Sequence, residues 1–247
     1  MAEQPPVAPV ENVVDAYFGV KIVDPYRYME KFDSPRVQSW VKGQAEYAEA
    51  TLRAIPGRDA LRSRIAELDA GAPFAVTEIT VGANGDLFYF KQAAGEDVAK
   101  VCVRDRTTGD ERLLIDPQTF PKTDPKDHFT ISFYAASPDG SRVLYGFAAS
   151  GSEQTTLKIF DVAQKRDLPD LIDRIDAEYA QPTWLPDGKA FTYARRRKLP
   201  VDASPTERYR FTQAFCHVIG EDPEQDVAVF AAGTLGSPTM GEMDFPA

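Results

Sequence analysis

An internal repeat is the feature that most limits what this chain can fold into. Three tight Asx-Gly turns each lead into a short strand-forming run, and their glycines are Gly85, Gly140 and Gly188, which lie 55 and 48 residues apart. A second series of strand-like runs follows the turns in step: Val101–Asp105, Leu157–Asp161 and Ala214–Val218. Since the two series keep the same register, the sequence predicts a repeated unit of strands.

A repeat of about 50 residues with four short antiparallel strands is typical of a β-propeller blade. The sequence therefore predicts a mainly β fold, a partial β-propeller of about three four-stranded antiparallel blades. We expect the blades at about residues 72–117, 128–172 and 178–232, and an irregular tail at 233–247. Because ~4–8 blades close a propeller, three blades indicate part of a larger structure. An ordinary β-sandwich with common turns is the alternative.

Residues 1–71 show a different pattern and are predicted to form an N-terminal α-helical segment with three helices. The first two begin at Asp24-Pro25 and Ser34-Pro35, where an N-cap residue precedes a proline at the first helical position. Pro56-Gly57 ends the second helix, and a third short helix follows this break. From Ala72 onward the hydrophobic period changes to two, which is typical of strands.

The charge balance excludes several classes of protein. The chain carries 28 basic and 38 acidic residues, a net charge of −10, whereas affinity for nucleic-acid phosphates needs a positive field. No run of about 18 apolar residues is present. The amino-terminal stretch MAEQPPVAPV lacks the basic and apolar regions of a secretory signal. We therefore expect a cytoplasmic protein that binds neither nucleic acid nor a membrane.

Histidine, the general base of a Ser-His-Asp triad, occurs only at His128 and His217. His128 follows a polar stretch and is expected to be a solvated loop residue, whereas His217 lies in a strand and is expected to be structural. The sequence contains no G-x-S-x-G elbow to hold a nucleophile, and prolines interrupt the segment Gly233–Pro238. We therefore predict no catalytic residue in this chain.

The cysteines do not suggest a metal site or a disulfide. Cys216 and His217 are adjacent, so on a strand they point to opposite faces and cannot chelate one ion together. Cys102 and Cys216 occupy similar places in the first and third predicted blades, beyond the about 7 Å limit for a disulfide. We expect two reduced thiols, no metal and no cofactor.

One basic run, Arg195-Arg196-Arg197-Lys198, stands out in this acidic chain. We interpret it as a solvated strand end, and a site for phosphate or an acidic partner is the alternative. Three acidic residues would balance its charge: Asp173, Asp176 and Glu178. Ser150-Gly151-Ser152 is expected to be a turn between strands and not a phosphate cradle, because no helix follows it.

Ordered motifs along the chain resemble the prolyl oligopeptidase family of serine peptidases, in which a propeller covers an α/β-hydrolase domain. The N-terminal motifs are similar to the family patterns D-x-Y-x-G, D-P-Y-R-W-L-E, D-S and W-V-x-x-Q: Asp15–Gly19, Asp24–Glu30 (with Tyr28 and Met29 in place of Trp and Leu), Asp33-Ser34 and Trp40–Gln44. Further matches follow downstream: Ser137–Gly140, Tyr145-Gly146, Ser150–Glu153, Asp167–Asp170, Trp184, His217–Gly220 and Glu224–Asp226. The resemblance covers residue 11 to about residue 230.

The resemblance implies that the chain is the non-catalytic front of a serine-type endopeptidase that cleaves short peptides after proline. The family's triad lies in a C-terminal hydrolase domain, which would be the partner that this chain gates and shields. In the family, a pocket-facing side chain comes from the strand that matches Thr156–Phe160, and it aligns with Ile159. The alternative is a non-enzymatic interaction protein that self-associates through exposed blade edges.

Overall fold

A computed structural model describes residues 4–149, 151–152, 154–177 and 180–231. The chain divides into two compact units, residues 1–71 and a second unit that begins at Ala72. The tail predicted at 233–247 lies outside the described residues. Within the described ranges, no helix has both the length and the apolar character needed to cross a membrane.

The first unit begins with a β-hairpin that the sequence did not predict. Strands β1 (Val13–Tyr17) and β2 (Val20–Asp24) pair antiparallel, and Phe18-Gly19 connect them with φ angles of 51° and 82°. Two positive φ angles are what a type I′ hairpin turn requires. Beyond Asp24, where the sequence predicted the first helix, there is only a short 3-10 turn, Arg27–Glu30. The first predicted helix is therefore wrong, because the Asp24 side chain accepts from the Tyr26 N–H at 2.9 Å and closes a turn instead.

The other two helices predicted in this unit are present. Helix α1 (Pro35–Arg53) has its proline in the first turn, where the missing N–H costs no hydrogen bond. Gly57 adopts a left-handed φ of 81° and separates α1 from α2 (Arg58–Asp69). Within α1 only Val37 is buried, and α2 buries no residue. Both helices therefore present apolar side chains that the first unit itself does not cover.

The second unit is built from antiparallel sheets. The first sheet has four strands in chain order: β3 (Phe74–Val81), β4 (Leu87–Ala93), β5 (Lys100–Arg104) and β6 (Glu111–Ile115). Its Asn84-Gly85 turn places Gly85 at φ 86°, a conformation that glycine adopts without a steric penalty. Four short antiparallel strands in sequential order are the arrangement of one propeller blade.

The next eight strands form one continuous sheet. Its first half contains β7 (Phe129–Ala136), β8 (Arg142–Ala149), β9 (Thr155–Asp161) and β10 (Arg166–Ile175). Its second half contains β11 (Thr183–Trp184), β12 (Ala190–Arg195), β13 (Gln213–Val218) and β14 (Val227–Phe230). One pair, Ile175 with Arg195, joins β10 to β12. Each half is a four-stranded antiparallel group, and the described strands do not close into a ring.

Two apolar clusters form the core of the second unit. The first joins the four-stranded sheet to β7–β9 and includes Phe88, Val101, Val103, Tyr134, Val143 and Tyr145. The second lies within the larger sheet and includes Phe133, Leu144, Leu157, Ile159, Ile172 and Phe191. The Tyr134 hydroxyl also donates to the Phe88 carbonyl at 2.9 Å, which fastens β7 to β4. The core therefore joins the first four-stranded group to the second, and the second to the third.

Candidate functional site

A buried cluster of polar side chains centres on His217 of β13. The side chain of His217 has 0% exposure, and its Nε2 lies 3.0 Å from Asp170 Oδ1. Its Nδ1 lies 3.0 Å from each carboxylate oxygen of Asp226, which precedes β14. Because Asp170 belongs to β10, the cluster links the two four-stranded groups of the larger sheet.

Further hydrogen bonds complete the surroundings of the two carboxylates. The Tyr193 hydroxyl donates to Asp226 at 2.6 Å, and the Gly220 N–H donates to Asp170 at 2.6 Å. Burial, followed by the hydrogen bond to Asp226, raises the pKa of Tyr193 above its usual value and keeps it a donor. Both ring nitrogens of His217 therefore lie within hydrogen-bond distance of carboxylate oxygens. This arrangement fits the structural role expected for His217.

The basic run begins at the end of β12, and its first two residues are buried. Arg195 and Arg196 have exposed fractions of 7% and 6%, so the interpretation of a solvated strand end is wrong for them. The chain beyond β12 folds back and brings the Tyr209 ring to 4.9 Å from the Arg196 guanidinium. The pairing of β10 with β12 fixes Arg195 beside Ile175 on the other side. A guanidinium buried in this way needs anionic partners.

Two of the three expected acidic partners are present. Arg195 Nη2 contacts Asp173 and lies 2.5 Å from Glu224 Oε1, and Arg196 Nη2 lies 3.0 Å from Asp176 Oδ1. Burial acts to raise the pKa of Asp173, but hydrogen bonds from Arg174 and Arg195 hold that pKa below its usual value. The third expected partner, residue 178, lies outside the described residues.

The remaining candidate side chains are placed apart from this cluster. His128 is exposed in the loop before β7, with Nδ1 3.4 Å from the Lys126 carbonyl. Cys102 is buried on β5, Cys216 is half-buried on β13, and both are free thiols, as expected. Burial raises the pKa of Cys102 to about 11, so this thiol stays protonated near neutral pH. Among the described residues, no group of three His, Cys, Asp or Glu side chains is arranged to hold a metal ion.

Ile159 lies in the middle of β9 and has 0% exposure within the second apolar cluster. Its assignment to the wall of a substrate pocket stays a prediction, and its burial favours a packing role. The predicted turn between β8 and β9 is present in the described part, since Gly151 has φ 75° and the Ser152 N–H donates to the Ala149 carbonyl at 2.8 Å. Residue 150 lies outside the described residues.

The roles of Asp170 and Asp226 were not predicted from the sequence. Buried and exposed side chains alternate in the second half of β10, and Asp170 occupies one of the buried positions with only 5% exposure. A buried carboxylate needs a hydrogen-bond donor. His217 is a histidine on a strand, and its ring can supply one. That combination was readable in the sequence, but the pairing depends on which strands become neighbours.

The fold and this cluster define a class of protein. Three four-stranded antiparallel groups, each with an Asx-Gly turn between its first and second strands, are blades of a β-propeller. The described partners of the His217 ring nitrogens are carboxylates, so neither nitrogen is paired with a serine hydroxyl. The second unit is therefore a propeller module without a serine-peptidase triad at its buried histidine.

Residues 5–235 match the family described as prolyl oligopeptidase, N-terminal β-propeller domain. The chain belongs to this family. The match confirms both the predicted fold class and the resemblance seen in the ordered motifs.

Similar proteins support the same conclusion. The prolyl endopeptidase of Elizabethkingia meningoseptica is 24% identical over 218 residues, which cover 86% of this chain and 29% of the relative. A solved structure from a study of two prolyl endopeptidases aligns with a TM-score of 0.78 and 30% identity, over 92% of this chain and 32% of that chain. Oligopeptidase B from Leishmania major shares the fold, with a TM-score of 0.70 at 18% identity, over 94% of this chain and 33% of that chain. The chain thus spans about a third of the proteins that it matches.

Proposed function

We propose that this chain is the propeller part of a serine-type endopeptidase that cleaves short peptides after proline. The observation that carries the proposal is the family match over residues 5–235 together with three four-stranded groups of strands. The relatives named prolyl endopeptidases support the choice of substrate. In this proposal the chain performs no bond chemistry and works with an α/β-hydrolase domain that carries the triad.

The surface of the first unit supports docking to such a domain. Leu61, Ile65 and Leu68 lie on one face of α2, with exposed fractions of 62%, 50% and 60%. The hairpin exposes further apolar side chains: Val14, Tyr17, Phe18, Val20, Ile22 and Val23. Because soluble proteins rarely expose large apolar patches without a partner, these faces fit packing against a second domain.

A propeller suits gating for a physical reason. Blades arranged around an axis leave a narrow channel that admits a flexible peptide and excludes a folded protein. A covered active site also excludes bulk water, which strengthens the electrostatic interactions inside it. The expected contribution of this chain is therefore size selection and shielding, with opening and closing as the step that admits substrate.

A second candidate function is self-association through strand edges. Strand β14 is one edge of the larger sheet, and its Val227 and Val229 are 70% and 50% exposed. Strand β3 is an edge of the four-stranded sheet, with Ile79 and Val81 at 59% and 69%. An apolar edge strand can pair with another chain, so a chain without further blades would associate with itself.

We also propose a cytoplasmic location. The two cysteines are free thiols, and proteins of oxidising compartments usually pair their cysteines. The charge of −10 favours a soluble protein without affinity for anionic membranes or nucleic acid.

The test of the proposed function compares this 247-residue chain with the longest product that its gene encodes. Both are assayed on a short proline-containing reporter peptide and on the same sequence embedded in a folded protein. We expect no hydrolysis by the 247-residue chain, and hydrolysis of the short peptide alone by a longer product that carries a serine elbow. A coding sequence without further blades or an elbow would contradict the proposal, and sedimentation velocity would then show whether the chain self-associates.

A further inference from the structure

A pocket lined by four arginines opens at one end of the strands of the larger sheet. Its volume is about 350 Å³. Four guanidinium groups line this arginine pocket: Arg174, Arg196, Arg197 and Arg208. Among the described residues, the rest of the wall is uncharged and consists of Gln154, Ile175, Leu199 and Ala203.

Strand pairing places these residues together. Ile175 at the end of β10 pairs with Thr155 at the start of β9 and with Arg195 at the end of β12. The connection between β12 and β13 then supplies five of the described wall residues, from Arg196 to Arg208. Arg197 is held in place there by Glu207, whose carboxylate lies 2.7 Å from its Nη2. The pocket is therefore a built feature of two adjacent four-stranded groups.

Two buried N–H groups in this pocket have no acceptor among the described residues. The Nε atoms of Arg196 and Arg208 are both buried without a hydrogen-bond partner. Arg196 has only 6% exposure, and Asp176 occupies one of its Nη atoms at 3.0 Å. Buried donors in native proteins nearly always find an acceptor. A bound anion would supply acceptors to both arginines.

The charge of the pocket also favours an anion. None of the described residues that line it is acidic, whereas the whole chain carries a net charge of −10. A concave basic site with partly apolar walls concentrates its field on a small ligand. Ion pairs with Asp173, Asp176 and Glu207 fix Arg174, Arg196 and Arg197. These three carboxylates are not among the described residues of the pocket wall.

We propose that the arginine pocket binds the carboxylate of a peptide, namely a C-terminal carboxylate whose last side chain contacts the apolar wall. A planar guanidinium matches a carboxylate through two parallel hydrogen bonds. Ile175 and Leu199 provide apolar surface beside the guanidinium groups, which suits an amino-acid side chain better than a bare inorganic anion. The choice of a peptide as ligand rests on the proposed function.

The test is calorimetric titration of the purified 247-residue chain with two probes of equal size. One is acetyl-Gly-Pro-Leu with a free carboxylate, and the other is the same peptide as its C-terminal amide. We expect the free acid to bind about tenfold tighter or more, because only the acid forms charge-assisted hydrogen bonds. Inorganic phosphate is titrated separately as the bare-anion probe.

Three variants assign the binding to the pocket. Arg208→Gln removes one guanidinium from the wall and should abolish the preference for the acid. Arg112→Gln makes the same change at an exposed site on β6 and should leave that preference unchanged. Ala203→Glu places a carboxylate within the pocket and should block the acid, which keeps the proposal testable if Arg208→Gln does not fold. Thermal unfolding of each variant shows whether it retains the fold.

Several results would overturn the proposal. The proposal would be wrong if the acid and the amide bound with equal affinity, or if the preference for the acid survived both pocket variants. It would also be wrong if phosphate bound and the peptide acid did not. None of these results bears on the proposed function, because no hydrolysis is measured. Conversely, a gene product without peptidase activity would refute the proposed function and leave the measured acid preference in place.

Discussion

Replacing His217 with alanine should destabilise the second unit by about 3–5 kcal/mol, because two buried carboxylates would each lose a hydrogen-bond partner. The side chains of Asp170 and Asp226 are 1% and 4% exposed. Without the imidazole, both carboxylates remain buried, and one oxygen of Asp170 has no hydrogen-bond partner among the described residues. Each keeps a single strong donor, Gly220 or Tyr193. This loss is large compared with the free energy of unfolding of a typical domain, which is about 5–15 kcal/mol.

The assay is urea unfolding followed by the fluorescence of Trp184, which lies in the second unit and donates to the Ala135 carbonyl at 2.9 Å. His128→Ala is the matched control, and because that histidine is exposed its effect should stay within about 0.5 kcal/mol. Adding Asp170→Asn to His217→Ala should recover part of the loss, since it removes one unpaired charge. A loss below about 1 kcal/mol for His217→Ala would refute the role of His217 as the hydrogen-bond partner of both carboxylates.

Three further predictions follow from burial. Ile159→Ala should cost about 2–5 kcal/mol in urea unfolding, because the side chain is fully buried, and a loss near zero would favour a pocket wall instead. Gly146→Ala should lower thermal stability by about 1–3 kcal/mol, since its Cβ would lie 2.1 Å from Phe133 Cε1, and an unchanged melting temperature would contradict that packing. At about pH 8 a thiol reagent should label Cys216 faster than Cys102 in the folded chain, and Cys102 should accelerate as the pH rises toward its pKa of about 11. Mass spectrometry should find both thiols labelled without reductant after unfolding, and finding neither labelled would show a disulfide.

The blade repeat could be predicted from the sequence because its signals are local. An Asx-Gly turn needs a positive φ, and Gly85, Gly140 and Gly188 have φ angles of 86°, 73° and 65°. The switch from helical to strand periodicity at Ala72 also coincides with the boundary between the two compact units. These features depend on a few neighbouring residues, so the sequence alone was sufficient to predict them.

The hairpin at Val13–Asp24 was missed because its turn lacks the common Asx-Gly signal. Phe18 adopts φ 51°, a conformation that bulky residues rarely take, and only Gly19 beside it indicates a turn. The proline at position 25 suggested a helix start, but the chain after it forms only a short 3-10 turn. The side chain of Asp24 closes a turn with the Tyr26 N–H at 2.9 Å, so the residues that resembled a helix start form a turn.

The charged cluster could not be predicted because it depends on strand neighbours. Arg195 and Arg196 follow one another in a basic run that looks solvated by composition alone. Their burial arises from the single contact of β10 with β12 and from the chain that folds back after β12. The pairing of His217 with Asp170, 47 residues away, has the same origin. Sequence spacing carries no information about which strand ends meet.

The most direct test of the account is an activity assay on the purified 247-residue chain. The chain is incubated with a proline-containing reporter peptide and, separately, with a serine-reactive probe, beside its His217→Ala variant. Hydrolysis in this family needs a nucleophile, a histidine base and an oxyanion hole, and His217 is held between two carboxylates. We predict that neither the 247-residue chain nor its His217→Ala variant hydrolyses the peptide or is labelled by the probe. Turnover that disappears in the His217→Ala variant, together with labelling of a serine, would contradict it.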